Sequence, residues 1–379
     1  MKPGRRQALR RLGAWPGAAA AVLAVPSLHA VPTRVWPAWE AFAQHFIGSG
    51  GRVIEHTDAR QRTISEAQAY ALFFALVANQ PERFEKLLRW TEDNLADGDL
   101  TQCLPAWLWG RRDDGSFGVL DDNAAADADL WIAHALGEAG RLWGVRRYTV
   151  LSNVLAERVR REEVAELPGL GPMLLPGPRG FVLAPGRWRL NPSYLPPMQL
   201  RWFAARWGAP WPALHDNALR LLRDSAPRGL APDWTVYDGT LQRFDAAPGA
   251  LGSYDAIRVY LWLGLSTVPA PLLSHFEPMA AATDAAGAPP EKVDVLAGPR
   301  PGDAPIGFSA ALLPFLQALG RGETLRRQQW RVAERPPEPD AYFDQVLRLF
   351  GEGALEGRYR FDAAGGLVTE WAAARAPRG

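Results

Sequence analysis

Two kinds of helical segment constrain this chain more than any other feature. "AYALFFALV" (Ala69–Val77) and "YDAIRVYLWLGL" (Tyr254–Leu265) are apolar on most sides, which only a helix buried all round can satisfy. "PERFEKLLRWTEDNLA" (Pro81–Ala96) and "NVLAERVRREEVAE" (Asn153–Glu166) carry one apolar stripe and a charged face, the pattern of an outer layer. Helical periodicity recurs along the chain. It predicts helices over Trp36–Ile47, Ser65–Asn79, Pro81–Ala96, Ala126–Trp143, Tyr148–Glu162 and Ser193–Trp207. Further helices are predicted over Trp211–Asp224, Ser253–Leu265, Pro271–Thr283, Phe308–Leu319, Glu323–Ala333 and Asp340–Phe350. About six inner–outer pairs make an all-α fold, an (α/α)6 barrel. A helical solenoid would need a fixed-period repeat, and none is visible. Many of these segments start at Ser, Thr, Asp or Pro and stop at Gly or Asn, as capping predicts.

Two stretches break the helical pattern. Leu167–Ser193 is turn-rich with short β-like runs and predicts a long structured excursion. "GRYRFDAAGGLVTEW" alternates around Gly365-Gly366 and predicts a hairpin. No low-complexity linker divides the chain, so residues 31–379 are expected to form one domain. The first 30 residues have the composition of an export signal. "MKPGRRQALRRLG" is basic, with a loose twin-arginine pattern at Arg5-Arg6, and "AWPGAAAAVLAVPSLHA" is short, small and apolar. Cleavage after Ala30 is expected, giving a periplasmic protein or, alternatively, a secreted one. No later apolar run is long enough to span a membrane.

Composition narrows the function further. With 42 basic and 41 acidic residues, no charged surface for nucleic acid is indicated. The single cysteine excludes an internal disulfide, and the six histidines have no metal-ligand spacing. No metal or organic cofactor is therefore expected. The sixteen tryptophans suit a packed core or a groove that stacks flat apolar faces.

The carboxylates are the candidates for chemistry. Glu66 opens the apolar run Thr63–Gln80, Asp127 and Asp129 open "ADADLWIAHALGEAGRLW", and Asp255 opens "YDAIRVYLWLGL". Each has a structural reading. Thr63-Ile-Ser-Glu66 fits a capping box with Thr63 as N-cap, and an acid in a first turn is favourable for any helix. Yet the N-termini of inner helices gather at one end of an α/α barrel. Carboxylates collected there, among aromatic side chains, suit glycoside hydrolysis.

At these residues the chain resembles glycoside hydrolase family 8. Ala126–Trp143 matches the family signature of alanine, Ser/Thr, Asp, Gly/Ala, Asp and an apolar helix closing on Trp. "LPAWLWG", "NPSYLPP", "APDW", "SYDAIRVYLWLG", "PPEKVDV" and "GFSAALLPFLQ" extend the likeness from Trp36 to Trp371, toward the periplasmic members encoded with bacterial cellulose synthases. The resemblance implies an (α/α)6 barrel with an open cleft at one end, hydrolysing β-1,4-glucan with inversion. It makes Glu66 the general acid, Asp255 the general base, and Asp127 the acid holding a distorted sugar at the cleavage subsite. Tyr194, Tyr254 and Arg258 should surround that subsite, Arg258 one helical turn from Asp255. Trp107, Trp109 and Trp188 are expected to bind sugars. A β-1,4-glucan chain is the implied partner, and the cellulose synthase complex a further one. Ala126 departs from the signature's Ser or Thr and removes a hydroxyl beside the acids. Alternative substrates are xylan, chitosan and mixed-linkage glucan. A glycan-binding protein without turnover, or a structural partner of the export machinery, would use the same groove.

Overall fold

The computed structural model describes residues 34–245 and 250–374; the expected signal, residues 1–30, lies outside them. The helices run in chain order. They are α1 (Pro37–Phe46), α2 (Ser65–Val77), α3 (Pro81–Leu95), α4 (Ala126–Trp143), α5 (Arg146–Glu162), α6 (Pro197–Arg206) and α7 (Trp211–Asp224). Then come α8 (Ile257–Leu265), α9 (Ala270–His275), α10 (Glu277–Ala286), α11 (Ile306–Ala318), α12 (Gly322–Glu334), α13 (Tyr342–Leu355) and the short α14 (Glu370–Ala373). Helices α2, α4, α6, α8, α11 and α13 form an inner ring. Each packs against an outer helix or its neighbours, α2 on α3, α4 on α5, α6 on α7 and α11 on α12. This is the (α/α)6 barrel. Along α2 every residue but Glu66 is buried. On α3 and α5 only the apolar stripe is covered, which is the difference the two sequence patterns encode.

The barrel axis is plugged by aromatic rings. Phe350 of α13 meets Tyr70, Phe73, Phe74, Trp131 and Trp262 at centroid distances of 4.7–5.6 Å. Offset and edge-on pairs of this kind add to area burial. Close approach around the ring needs glycine at two positions. A Cβ on Gly351 would lie 1.9 Å from the Ala310 carbonyl oxygen, and one on Gly264 would lie 2.2 Å from the Phe315 nitrogen.

Connections differ at the two ends. Inner-to-outer links are short, as at residues 78–80, 144–145 and 207–210, whereas outer-to-inner links are long, as at 96–125, 163–196 and 225–256. The long links carry most of the small antiparallel sheets and surround the inner-helix N-termini. A three-stranded sheet joins β1 (Thr63–Ile64), β2 (Leu108–Arg111) and β3 (Phe117–Asp121). The expected excursion begins slightly earlier, with a hairpin of β4 (Val164–Leu167) and β5 (Gly171–Leu174). It continues as a four-stranded sheet of β6 (Val182–Ala184), β7 (Arg187–Leu190), β8 (Thr235–Asp238) and β9 (Arg243–Asp245). The expected C-terminal hairpin pairs Tyr359–Phe361 with Leu367–Thr369 at the other end.

Two local expectations are corrected. The capping box at Thr63 does not form: Thr63 is a strand residue, its hydroxyl donates to the Val53 carbonyl at 2.6 Å, and the N-cap of α2 is Ile64 with no side-chain cap. Side-chain caps are rare here in general. Helices α1, α3, α6, α7, α9 and α10 instead carry proline in their first turn, where the missing N–H is harmless. The predicted helices at Ser193 and Ser253 also start later, leaving Tyr194 in a 3-10 turn (Pro192–Tyr194) and Asp255 in the turn before α8.

Candidate active site

Three inner helices deliver acids to one place. Glu66 sits in the first turn of α2, Asp127 in the first turn of α4, and Asp255 just ahead of α8. Arg258 joins two of them. Its Nη1 donates to Asp127 Oδ2 at 2.9 Å and to the Tyr70 hydroxyl at 3.1 Å, and its Nη2 donates to Asp255 Oδ1 at 2.7 Å. Arg258 is buried and Asp127 is fully covered. The planar guanidinium fork can serve both carboxylates at once, which a lysine cannot. Glu66 belongs to the same electrostatic cluster, feeling both Arg258 and Asp255.

The three acids have different surroundings. Glu66 has no ion-pair partner among the described residues, and the Ser65 hydroxyl donates to it at 3.4 Å. Burial raises its carboxyl above the usual range and the charge of Asp255 adds to this, while its own backbone N–H, Arg258 and Ser65 oppose it. Burial also pushes the Asp127 carboxyl up to about 8, Glu66 adding to the effect and Arg258 working against it. Asp127 Oδ1 accepts the Ala128 N–H at 2.9 Å, so its orientation is fixed. Asp255 is more open than Asp127, with 31% of its side chain exposed. The Asn191 amide donates to its Oδ2 at 3.1 Å.

Several site residues were not singled out in the sequence. Asn191 holds Asp255 and also accepts the Ser193 N–H and hydroxyl, so it builds the 3-10 turn that presents Tyr194. Asp233 acts as the cap of the Asp255 turn. Its Oδ1 accepts the N–H groups of Ser253, Asp255 and Ala256 at 2.8–3.1 Å, and its Oδ2 accepts the Ser253 hydroxyl at 3.0 Å. Tyr70 lies one turn after Glu66 on α2, a spacing that could have revealed it. The buried Tyr342 hydroxyl feels Tyr70 and Glu66 and has no hydrogen-bond partner among the described residues.

The expected sugar-binding residues fall in different places. The Arg258 guanidinium stands over the Tyr194 ring at 5.6 Å. Tyr194 also lies 6.3 Å from Trp234, which stacks at 7° on Phe181. Tyr254 is 44% exposed, edge-on to Phe308. Trp107 is half-buried beside the start of α2, its carbonyl accepting the Ser65 N–H at 2.9 Å. Trp109 is a correction. It is buried, with Phe117 at 5.3 Å, Trp90 edge-on at 5.3 Å and the Arg52 guanidinium 4.2 Å from its ring centre. Those neighbours take the surface that a sugar would need, so Trp109 builds the wall. Trp188 is half-buried on β7, opposite Tyr237 of β8.

A desolvated acid whose carboxyl is raised, a carboxylate held by donors, and a third acid tied to an arginine can donate one proton and accept another across a bound molecule. Flanked by aromatic rings, they define an (α/α)6-barrel hydrolase of the glycosidase type. The chain belongs to the glycosyl hydrolases family 8, whose sequence profile matches residues 12–357. It is 48% identical over 355 residues to an endoglucanase of Salmonella typhi, covering 92% of this chain and 95% of that one. It is 48% identical over 378 residues to an endoglucanase of Xanthomonas axonopodis pv. citri, covering 97% of each. The crystal structure of an endo-1,4-D-glucanase from Vibrio fischeri ES114 superposes with a TM-score of 0.83 at 41% identity, covering 89% of this chain and 99% of that one.

Proposed function

We propose that the protein is an endo-β-1,4-glucanase that cleaves cellulose or related β-glucan chains with inversion. Glu66 protonates the leaving glycosidic oxygen, Asp255 takes a proton from the attacking water, and Asp127 grips the sugar at the cleavage point. The carrying observation is the division of labour around Arg258. The guanidinium holds Asp127 and Asp255, while Glu66 stays unpaired and desolvated. A general acid must keep its proton near neutral pH, and an apolar helix mouth does that by disfavouring the charged form. Asp255 is open enough to bind water, and Asn191 and Arg258 leave its carboxylate oriented toward one side. Inversion calls for a water between base and anomeric carbon, with carboxyls roughly 6.5–9.5 Å apart. Tyr194, Tyr254 and Trp107, with Trp234 and Phe181, supply faces for the C–H surfaces of pyranose rings.

The biological setting is also a proposal. The basic and apolar first 30 residues support export to the periplasm, and the resemblance of the sequence to family members encoded with bacterial cellulose synthases supports a role in cellulose biosynthesis beside the synthase complex. The test of activity is viscosity loss and new reducing ends on carboxymethyl-cellulose, with xylan, chitosan and mixed-linkage glucan alongside. Rapid viscosity loss that Glu66→Gln or Asp255→Asn abolishes, with unchanged circular dichroism, supports the reading. Binding without turnover by the wild type would overturn it.

A further inference from the structure

Asp129 and Glu163 take no part in the chemistry above, yet they are as deeply buried as Asp127 beside them. Asp129 follows Asp127 by two residues on α4, and Glu163 is the residue directly after α5; their side chains are 0% and 1% exposed. The two carboxyls face each other within hydrogen-bonding reach. None of their four oxygens receives an N–H or O–H from any other described residue. The strongest charges on the pair, besides each other, are those of Asp127, Glu66 of α2 and Glu162 at the end of α5. Two bare carboxylates buried face to face beside further acids repel each other strongly. One proton between them turns the repulsion into a short charge-assisted O–H···O bond.

The helix ends decide which residue carries that proton. Asp129 lies in the first turn of α4, where free N–H groups favour a negative charge. Glu163 lies at the C-terminal end of α5, where free carbonyls disfavour one. The same region is tied together by the backbone. The Leu175 N–H donates to the Glu163 carbonyl at 2.8 Å, and the Ala126 N–H donates to the Pro176 carbonyl at 3.1 Å.

We propose that Glu163 is a neutral carboxylic acid donating to an ionised Asp129, and that this bond is a positioning device that sets the first turn of α4, and with it Asp127, against the end of α5. The positioning half rests on the hydrolase reading of Asp127; the protonation half does not. Infrared spectra tell the two apart, because they need no turnover. With Glu66→Gln as background, adding Glu163→Gln should remove the C=O stretch of one protonated carboxyl at pH 7 and at pH 9. Adding Asp129→Asn should leave that band in place, since the Asn carbonyl can accept the same proton. A spectrum unchanged by Glu163→Gln, or a band lost with Asp129→Asn, overturns the assignment, and either variant alone is decisive should the other not fold. For positioning, the side-chain amide introduced by Glu163→Gln can still donate to Asp129. In otherwise wild-type protein, Glu163→Gln should therefore keep kcat within about threefold, while Glu163→Ala lowers it roughly tenfold or more at little change in KM. Glu163→Met replaces Glu163→Ala if the latter does not fold. Wild-type kcat in a folded Glu163→Ala or Glu163→Met variant overturns the positioning role.

Discussion

Glu66, Asp127 and Asp255 share one functional group and differ in what surrounds it. Removing the proton of Glu66 as Glu66→Gln should lower kcat by roughly 10²–10⁴-fold with the fold intact, the range for loss of general acid–base help. The pH profile follows from the sign of the shift. Burial raises the Glu66 carboxyl, so the protonated, active form persists above the usual carboxylate range and activity falls on the alkaline side. Glu66→Gln should erase that limb in whatever activity remains, measured as kcat/KM against pH. Arg258→Lys puts one ammonium where a fork now reaches Asp127, Asp255 and Tyr70. We expect kcat/KM to drop by about 10–100-fold, with little change in melting temperature. The acids were legible because each begins an apolar run in the sequence. Asn191 and Asp233 were not, since each serves Asp255 from a different element and nothing in their own neighbourhood signals that distant partner. Trp109 was misread because a sequence shows an aromatic side chain but not which neighbours cover it.

At the scale of the element, the two kinds of helix were readable because burial leaves a direct imprint on hydrophobic periodicity. Ala126–Trp143 and Trp211–Asp224 have the expected bounds, each carrying periodicity to both ends. The strands of β1–β3 escaped notice, being two to five residues long and set by pairing across distant loops, as Thr63 with Trp109. The single helix expected at Pro271–Thr283 is two, α9 and α10, broken at Phe276. Proline-started helices hid the weakness of side-chain capping as a signal here. Inner helices touch through glycine, and this gives a stability prediction. Gly351→Ala would drive a methyl into the Ala310 carbonyl, so it should destabilise by roughly 1–3 kcal/mol, the usual cost of overpacking. Denaturant melts check this, and an unchanged midpoint would mean that α11 and α13 can separate freely.

For the whole molecule, the topology does the collecting. Each long outer-to-inner link returns the chain to the same end of the barrel, so the inner-helix N-termini and their acids converge there, above a dry aromatic plug. That concentration of buried acid makes stability depend on pH. Glu66 and Asp127 are raised in the folded state, the Asp129–Glu163 pair keeps one proton between them, and Asp344 is raised to about 6. Above the ordinary carboxyl range the folded protein therefore binds more protons than the unfolded chain, and stability falls as pH rises. The window opens near pH ~4, the ordinary carboxyl value, and extends past the value of about 8 reached by Asp127. Calorimetry should show the melting temperature declining between those limits. The measurement that bears most directly on the central claim is proton NMR of the first sugar ends released from a soluble β-1,4-glucan oligomer, before mutarotation. Inversion by Glu66 and Asp255 predicts that the α-anomer appears first and converts to the equilibrium mixture. The β-anomer appearing first would contradict the account, because Asp255 would then not be delivering water to the opposite face of the sugar.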